Sequence, residues 1–254
     1  MSFAIETKDL CVYFPQRKEP VKALDNLNLR VQTGKVFGFL GPNGAGKTTT
    51  MSVLLGFIQP TSGEAYLLGE NVKRHIARKR IGYLPEHPDT YRFLTGFELL
   101  DITGRLFDMD RKLIKQRSEE ILQQVDLLNA AKRKISTYSR GMLQRICLAQ
   151  ALINDPDIVI LDEPTSGLDP FGKAHVRSII ADLRAKGKTV FFSSHELSEV
   201  ELVCDSLAII ASGTVIKQGT ASEIVPAGEN LEKFFMETVS EYQKVKSSSY
   251  NGEV

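Results

Sequence analysis

Apolar and polar positions alternate unevenly over residues 3–34. Val21, Leu24, Leu27, Leu29 and Val31 fall at near-alternate spacing, which predicts short half-buried strands broken by the polar loop 16–20. Val36-Phe37-Gly38-Phe39-Leu40 is a continuous apolar run, the pattern of a fully buried strand, and it ends in a glycine-rich turn. Over 46–57, Thr50, Val53, Leu54 and Phe57 take helical spacing, and 63–69 and 81–85 are strand-like again. Between 96 and 152 the period lengthens. Leu99, Leu100, Ile102, Leu106, Leu113, Ile121, Leu122, Val125, Leu127 and Leu128 stand three or four apart among charges, which predicts consecutive helices.

From 157 strand and helix alternate once more. Asp157–Leu161 reads as a buried strand. A helix opens at Pro170, carries Val176, Ile179, Ile180 and Leu183 on one face, and closes at Gly187. Thr189–Ser193 is the next strand, Ser206–Ile210 and Thr214–Lys217 flank a Ser212-Gly213 hairpin turn, and 229–242 predicts an amphipathic helix. The polar tail 244–254 reads as frayed. The organisation is therefore α/β, with residues 1–226 as one domain, a helical insertion at about 87–152, and 227–254 as a short C-terminal helix and tail.

Composition narrows the classes. The chain has 254 residues, 42% hydrophobic, with a formal net charge of +1. That apolar content and low charge exclude global disorder, and near-neutrality argues against a nucleic-acid binder held by bulk electrostatics. Cys11, Cys147 and Cys204 are too far apart for a disulfide framework or a metal site, and they read as buried thiols. No apolar run approaches the ~20 residues that span a bilayer, and MSFAIETKDL has no signal-peptide pattern. The expectation is a cytoplasmic-type soluble chain.

The first chemistry lies at Gly41-Pro42-Asn43-Gly44-Ala45-Gly46-Lys47-Thr48, which matches Gly-x4-Gly-Lys-Ser/Thr between a buried strand and a helix. Glycines let a loop wrap and aim backbone N–H groups at phosphate oxygens, and the helix start adds its positive dipole end. Lys47 is placed to reach the β- and γ-phosphates, with the Thr48 hydroxyl on Mg²⁺ and Thr49 beside it. Ile158–Leu161 leads into Asp162-Glu163, where a carboxylate at a strand end can hold Mg²⁺ and the next can polarise a water. Together these predict a P-loop nucleoside triphosphate hydrolase without fixing its kind; the family resemblance carried by the segments below implies its architecture, a RecA-like core with a largely parallel sheet, an N-terminal antiparallel β subdomain and an inserted helical subdomain.

Further segments resemble the ATP-binding-cassette (ABC) transporter ATPases, in the family's order over about residues 5–220. Tyr138-Ser139-Arg140-Gly141-Met142 lies at the family signature. It departs from the usual Leu-Ser-Gly-Gly-Gln but keeps Ser139 and Gly141, and it looks like the Tyr-Ser-Lys-Gly-Met form of many export-type (ABC-2-like) cassettes. Ser166-Gly167-Leu168-Asp169 resembles the loop that communicates across a cassette dimer, His195 sits at the switch histidine, and Phe14 sits where the family stacks an aromatic on adenine, with Tyr13 as its neighbour. The other histidines, His75, His87 and His175, read as structural. Glu86, after Ile81-Gly82-Tyr83-Leu84-Pro85, stands where the family usually has a glutamine that touches Mg²⁺; glutamate keeps an acceptor oxygen and loses the amide donor.

The resemblance implies ATP and Mg²⁺ as cofactors. It also implies an ATP-dependent dimer, with itself or with a paralogous cassette, in which each signature faces the nucleotide on the other chain's phosphate loop. Glu163, His195 and Lys47 would be catalytic. Phe14, Gly41, Asn43, Gly44, Ala45, Gly46, Lys47, Thr48, Thr49, Ser139, Gly141 and Asp169 would hold nucleotide, and Thr48, Glu86 and Asp162 metal. Integral membrane permease subunits would dock near 87–100, where Tyr91, Phe93, Leu94 and Phe97 offer an aromatic lining, the competing reading being that all four are core. That places the chain on the inner face of the cell membrane through its partner, driving transport, with export favoured. The alternatives are a soluble ABC ATPase acting on DNA or ribosomes and a module that binds ATP without turnover. The first normally needs coiled coils or a second cassette, and the second is disfavoured by the complete Lys47, Asp162, Glu163 and His195 set. No nucleic-acid partner is expected.

Overall fold

Strands β1 (Phe3–Phe14) and β2 (Val21–Gln32) pair antiparallel from Phe3↔Gln32 to Phe14↔Val21 in the computed structural model, which describes residues 2–16, 20–226 and 229–250, residues 247–250 by backbone only. They are longer than the broken alternation predicts. The register slips around Asp9 and Asn26, whose φ values of 45° and 50° mark bulges, so inward-facing positions shift by one along each strand. Asn28 stitches the slip, accepting from the Asp9 N–H at 3.0 Å and donating to its carboxylate at 2.9 Å. Positions 17–19 of the predicted polar loop lie outside the described residues.

The described chain separates into two compact units: residues up to Ala77 together with those from Phe191 onward, and Arg78–Val190. In the first, β4 (Ser62–Leu67) and β5 (Glu70–Asn71) complete an antiparallel sheet of order β2-β1-β4-β5. A second sheet holds β3 (Val36–Leu40), buried at every position, parallel to β9 (Ser206–Ala211), which forms an antiparallel hairpin with β10 (Thr214–Gly219). Strand β8 (Thr189–Ser194) crosses the division, and its Phe191 ring packs 5.9 Å from Phe37 and 5.2 Å from Phe39. Each such ring contributes roughly 1.5–3 kcal/mol by leaving water. Helices α1 (Lys47–Leu54), α6 (Leu197–Val203), α7 (Ala221–Ile224) and α8 (Leu231–Tyr250) belong to this unit.

The amphipathic C-terminal helix runs past Tyr242 to Tyr250, which corrects the frayed reading of 244–250; residues 251–254 lie outside the described set. No glycine or proline interrupts 231–250, and Lys233 pairs with both Glu229 and Glu237, four residues away on either side.

In the second unit β6 (Ile81–Leu84) and β7 (Ile158–Leu161) run parallel in register Ile81↔Ile158 to Leu84↔Leu161. Helices α2 (Gly96–Leu106), α3 (Arg111–Gln124) and α4 (Arg140–Leu152) fill the stretch of lengthened periodicity, and α5 (Pro170–Ala185) follows β7. Side chains cap all four starts. Thr95 and Glu98 form a reciprocal capping box, and Asp110, Ser139 and Asp169 each accept a first-turn N–H. The apolar stripe of α4, including Ile146, Leu148, Ala149 and Leu152, is buried. Among the described residues no helix is long and apolar enough to cross a membrane.

Candidate nucleotide site

Strand β3 ends at Leu40, and the next residue, Gly41, lies too close to β9 for a side chain: a Cβ there would lie 2.5 Å from the Ile210 carbonyl oxygen. The chain then wraps from Gly41 to Gly46, with Ala45 N–H donating to the Pro42 carbonyl at 3.1 Å, before α1 begins at Lys47. Gly46 takes φ 110°, and a Cβ there would stand 2.8 Å from the Ala23 carbonyl oxygen. No side chain caps α1, so its first N–H groups lie at the loop without side-chain acceptors. Lys47 is 8% exposed, and its ammonium donates to the carbonyls of Gly41 at 2.6 Å and Pro42 at 3.4 Å, so the cation lies inside the wrapped loop. Asn43 and Thr48 are exposed, and Thr49 is half-buried.

The hairpin turn between β9 and β10 braces this loop from behind. Gly213 N–H donates to the Ala45 carbonyl at 2.8 Å, and the Gly213 carbonyl accepts from Asp25 N–H at 3.0 Å. Only the turn residues, not this bracing, were legible in the sequence. In the same unit Phe14 ends β1 with 40% of its surface exposed, Tyr13 is half-buried with the Lys22 ammonium 5.6 Å from its ring centre, and His195 is exposed just after β8.

The second unit carries the acids. Asp162 and Glu163 are 2% and 7% exposed at the end of β7. Asp162 N–H donates to the Leu84 carbonyl at 2.8 Å, extending the β6–β7 ladder to the residue that carries the first carboxylate. Glu163 has φ 49°, a left-handed conformation that costs a non-glycine residue about 1–2 kcal/mol and turns the chain sharply away from the strand. Gln144 on α4 holds the following residue by donating to the Pro164 carbonyl at 3.0 Å. Burial, helped by the Asp162 charge, pushes the Tyr83 hydroxyl up to about 12. Glu86 is exposed, with His87 Nε2 3.8 Å away.

Ser139 caps α4, its hydroxyl accepting from Met142 N–H at 3.3 Å; Gly141 lies in the first turn; and Asp169 caps α5, accepting from Gly172 N–H at 2.7 Å. These three border one cavity of about 610 Å³. Tyr91 and Phe93 are 63% and 67% exposed with ring centres 5.8 Å apart, whereas Leu94 and Phe97 are half-buried; the reading of all four as core therefore does not hold. At the surface Arg74 pairs with Glu70, Lys79 with Asp108 and Arg80 with Asp157. The structure thus gathers loop, lysine, aromatic and histidine in the first unit, and both acids, Glu86 and the signature in the second. Among the described residues no cluster of three or more His, Cys, Asp or Glu side chains forms a metal site.

Comparison with known proteins gives a consistent picture. Residues 24–166 match the sequence profile described as ABC transporter. An uncharacterized ABC transporter ATP-binding protein of Nostoc sp. is 48% identical over 82% of this chain and 62% of its own length. Nod factor export ATP-binding protein I of Cupriavidus metallidurans is 39% identical over 80% of this chain and 67% of its own. This chain therefore spans about two thirds of the length of these curated relatives. The dimeric structure of a bacterial ABC transporter cassette superposes with a TM-score of 0.77 at 25% identity, covering 85% of this chain and 98% of that one. With the profile covering more than half of the residues, the chain belongs to the ABC transporter ATP-binding family.

Proposed function

We propose that this chain binds ATP and hydrolyses it to ADP and phosphate as the ATP-binding subunit of a transporter, with two cassettes closing on the nucleotides. The observation that carries this reading is the wrapped loop Gly41–Gly46 with the buried Lys47 ammonium held inside it. A triphosphate replaces the loop carbonyls as partner of that cation and accepts from the loop and α1 N–H groups. Phe14 offers an exposed face for the adenine. Residues 1–226 act as one ATPase domain, with 87–152 as its helical insertion.

Glu163, buried at the strand end, takes the proton of the attacking water, and His195 orients that water. Lys47 and the loop amides stabilise charge on the transferred phosphoryl group, which is mostly a matter of positioning. The Thr48 hydroxyl and the Asp162 and Glu86 carboxylates are hard oxygen donors that suit Mg²⁺. Mg²⁺ held by these donors would neutralise charge on the phosphates.

Ser139, Gly141 and Asp169 serve the nucleotide on a second copy or a paralogous cassette, a reading supported by the dimeric structural relative. Tyr91 and Phe93 form an exposed aromatic pair that suits an apolar helix of a membrane subunit. That partner holds the chain on the inner face of the cell membrane. Export is favoured by the similarity to a Nod factor export protein.

Phosphate release from Mg-ATP tests the reading. Glu163→Gln is expected to lower the rate by about 10²–10⁴-fold while ATP binding survives, and ATP then raises the mass of this variant to a dimer in light scattering. Equal turnover by the variant, or no ATP-dependent mass change, would refute it.

A further inference from the structure

A buried amide on α4 holds the chain immediately behind Glu163. Gln144 is 4% exposed, and its Nε2 donates to the Pro164 carbonyl at 3.0 Å. The neighbouring buried positions of α4, Ile146, Leu148, Ala149 and Leu152, are all apolar. Packing alone therefore asks for an apolar side chain at 144. An amide taken out of water must find a partner or forfeit its hydrogen bonds. This one finds its partner outside its own helix, twenty residues further along the chain.

What it grips is a strained turn. Glu163 has φ 49°, and the residue that follows it is proline. Left-handed backbone is unfavourable for glutamate, and proline favours an extended residue before it. Such a conformation lasts only while its surroundings hold it. Asp162 N–H fixes the approach through the Leu84 carbonyl, and Ser166 N–H closes the turn on the Glu163 carbonyl at 3.1 Å. Proline has no N–H, so its carbonyl is the single main-chain group by which it can be tethered. That is the group Gln144 takes. The two segments approach again nearer the start of α4, where a Cβ at Gly141 would stand 3.9 Å from Leu168 Cδ2.

We propose that Gln144 is a positioning residue for hydrolysis: by holding Pro164 it keeps Glu163 in its left-handed turn, with the carboxylate aimed to take the proton of the attacking water. Gln144 touches neither nucleotide nor water and acts through Glu163. One helix thus presents Ser139 at its cap and fixes the base from its second turn. This rests on the reading of Glu163 as the base and adds the residue that aims it.

The test is a double-mutant cycle on the full chain, with single-turnover phosphate release from Mg-ATP, fluorescent-ATP titration and circular dichroism of every variant. Gln144→Met keeps the length of the side chain and removes the donor. It is expected to lower the rate by about ten- to a hundredfold, the scale of a misplaced reacting group, while ATP affinity stays within about twofold. In Glu163→Gln, which has no base left to aim, the same substitution should change the residual rate by no more than about twofold. Gln144→Glu, of the same size, sets a carboxylate oxygen against the Pro164 carbonyl and should repeat the pattern with a larger loss. ATP-driven dimerisation of Glu163→Gln should survive either change, because the Ser139 cap is left intact.

A parent-like rate in both Gln144 variants overturns the proposal. A loss of equal size in the Glu163→Gln background, or failure of both variants to fold, makes the amide a general support of the fold and overturns it too. Loss of ATP-driven dimerisation places its effect at the signature and also overturns it. Should Glu163→Gln itself turn over at the parent rate, the base reading fails and the proposal falls with it.

Discussion

Alanine at Gly46 and at Gly44 separates two reasons for a glycine in one loop. Both residues have positive φ, 110° and 76°, so a Cβ strains the backbone at either place. Only at Gly46 is the space also filled: the added carbon would meet the Ala23 carbonyl oxygen and Leu24 Cδ2, each at 2.8 Å, whereas at Gly44 nothing lies within 4 Å. Backbone strain alone costs about 1–2 kcal/mol, and forcing a group into packed surroundings adds about 1–3 kcal/mol. Gly46→Ala is thus expected to be less stable than Gly44→Ala by about 2 kcal/mol, or about 4–8 °C in the thermal midpoint for a chain of this size. The damage should also reach the helix, because the Gly46 carbonyl accepts from both the Thr50 N–H and the Thr50 hydroxyl at 2.9 Å. Thermal denaturation followed by circular dichroism, with fluorescent-ATP titration of each variant, measures both effects. Equal midpoints for the two variants would refute the argument, since they would show that close approach to β2 plays no part in the loop's geometry.

Phe14→Ala is expected to weaken ATP binding about tenfold, a stacking loss of order 1–2 kcal/mol, with a thermal midpoint unchanged because the ring is 40% exposed; an unchanged ATP titration would remove Phe14 from the site. Tyr83 should stay protonated when absorbance at 295 nm is followed to pH 11, because burial and the Asp162 charge hold it near 12. A hydroxyl raised in the folded state stabilises that state fully below pH 10, and this contribution is lost as the pH climbs from about 10 to about 12. Asp162→Asn should lower the Tyr83 midpoint without returning it to 10, and a midpoint that rises or stays fixed would exclude the charge. Burial pushes the Cys147 thiol up to about 12 and raises that of Cys204 as well. At pH 8 both should resist a disulfide reagent in the native chain and react in urea, and rapid native labelling of Cys147, located by mass spectrometry, would contradict that.

Spacing carried much of this architecture. The phosphate loop is readable because its chemistry demands contiguous residues, and the helical insertion because a change of hydrophobic period survives in any register. Other features depend on contacts between distant residues. The one-residue slips at Asp9 and Asn26 blurred the alternation that would have announced two long strands. The left-handed turn at Glu163 has no signal in an ordinary glutamate. Tyr91 and Phe93 have the same composition whether buried or exposed, and only neighbours decide.

The brace at Gly213 has a consequence for how the molecule comes into being. Residues 25, 45 and 213 are knitted by two main-chain hydrogen bonds, so the loop encoded near the start is completed by a turn encoded near the end. A nascent chain leaving the ribosome exposes Gly41–Thr48 long before that turn exists, and contacts so far apart in sequence are the slowest to close. The phosphate loop therefore gains its rear brace only after residue 213 has been made.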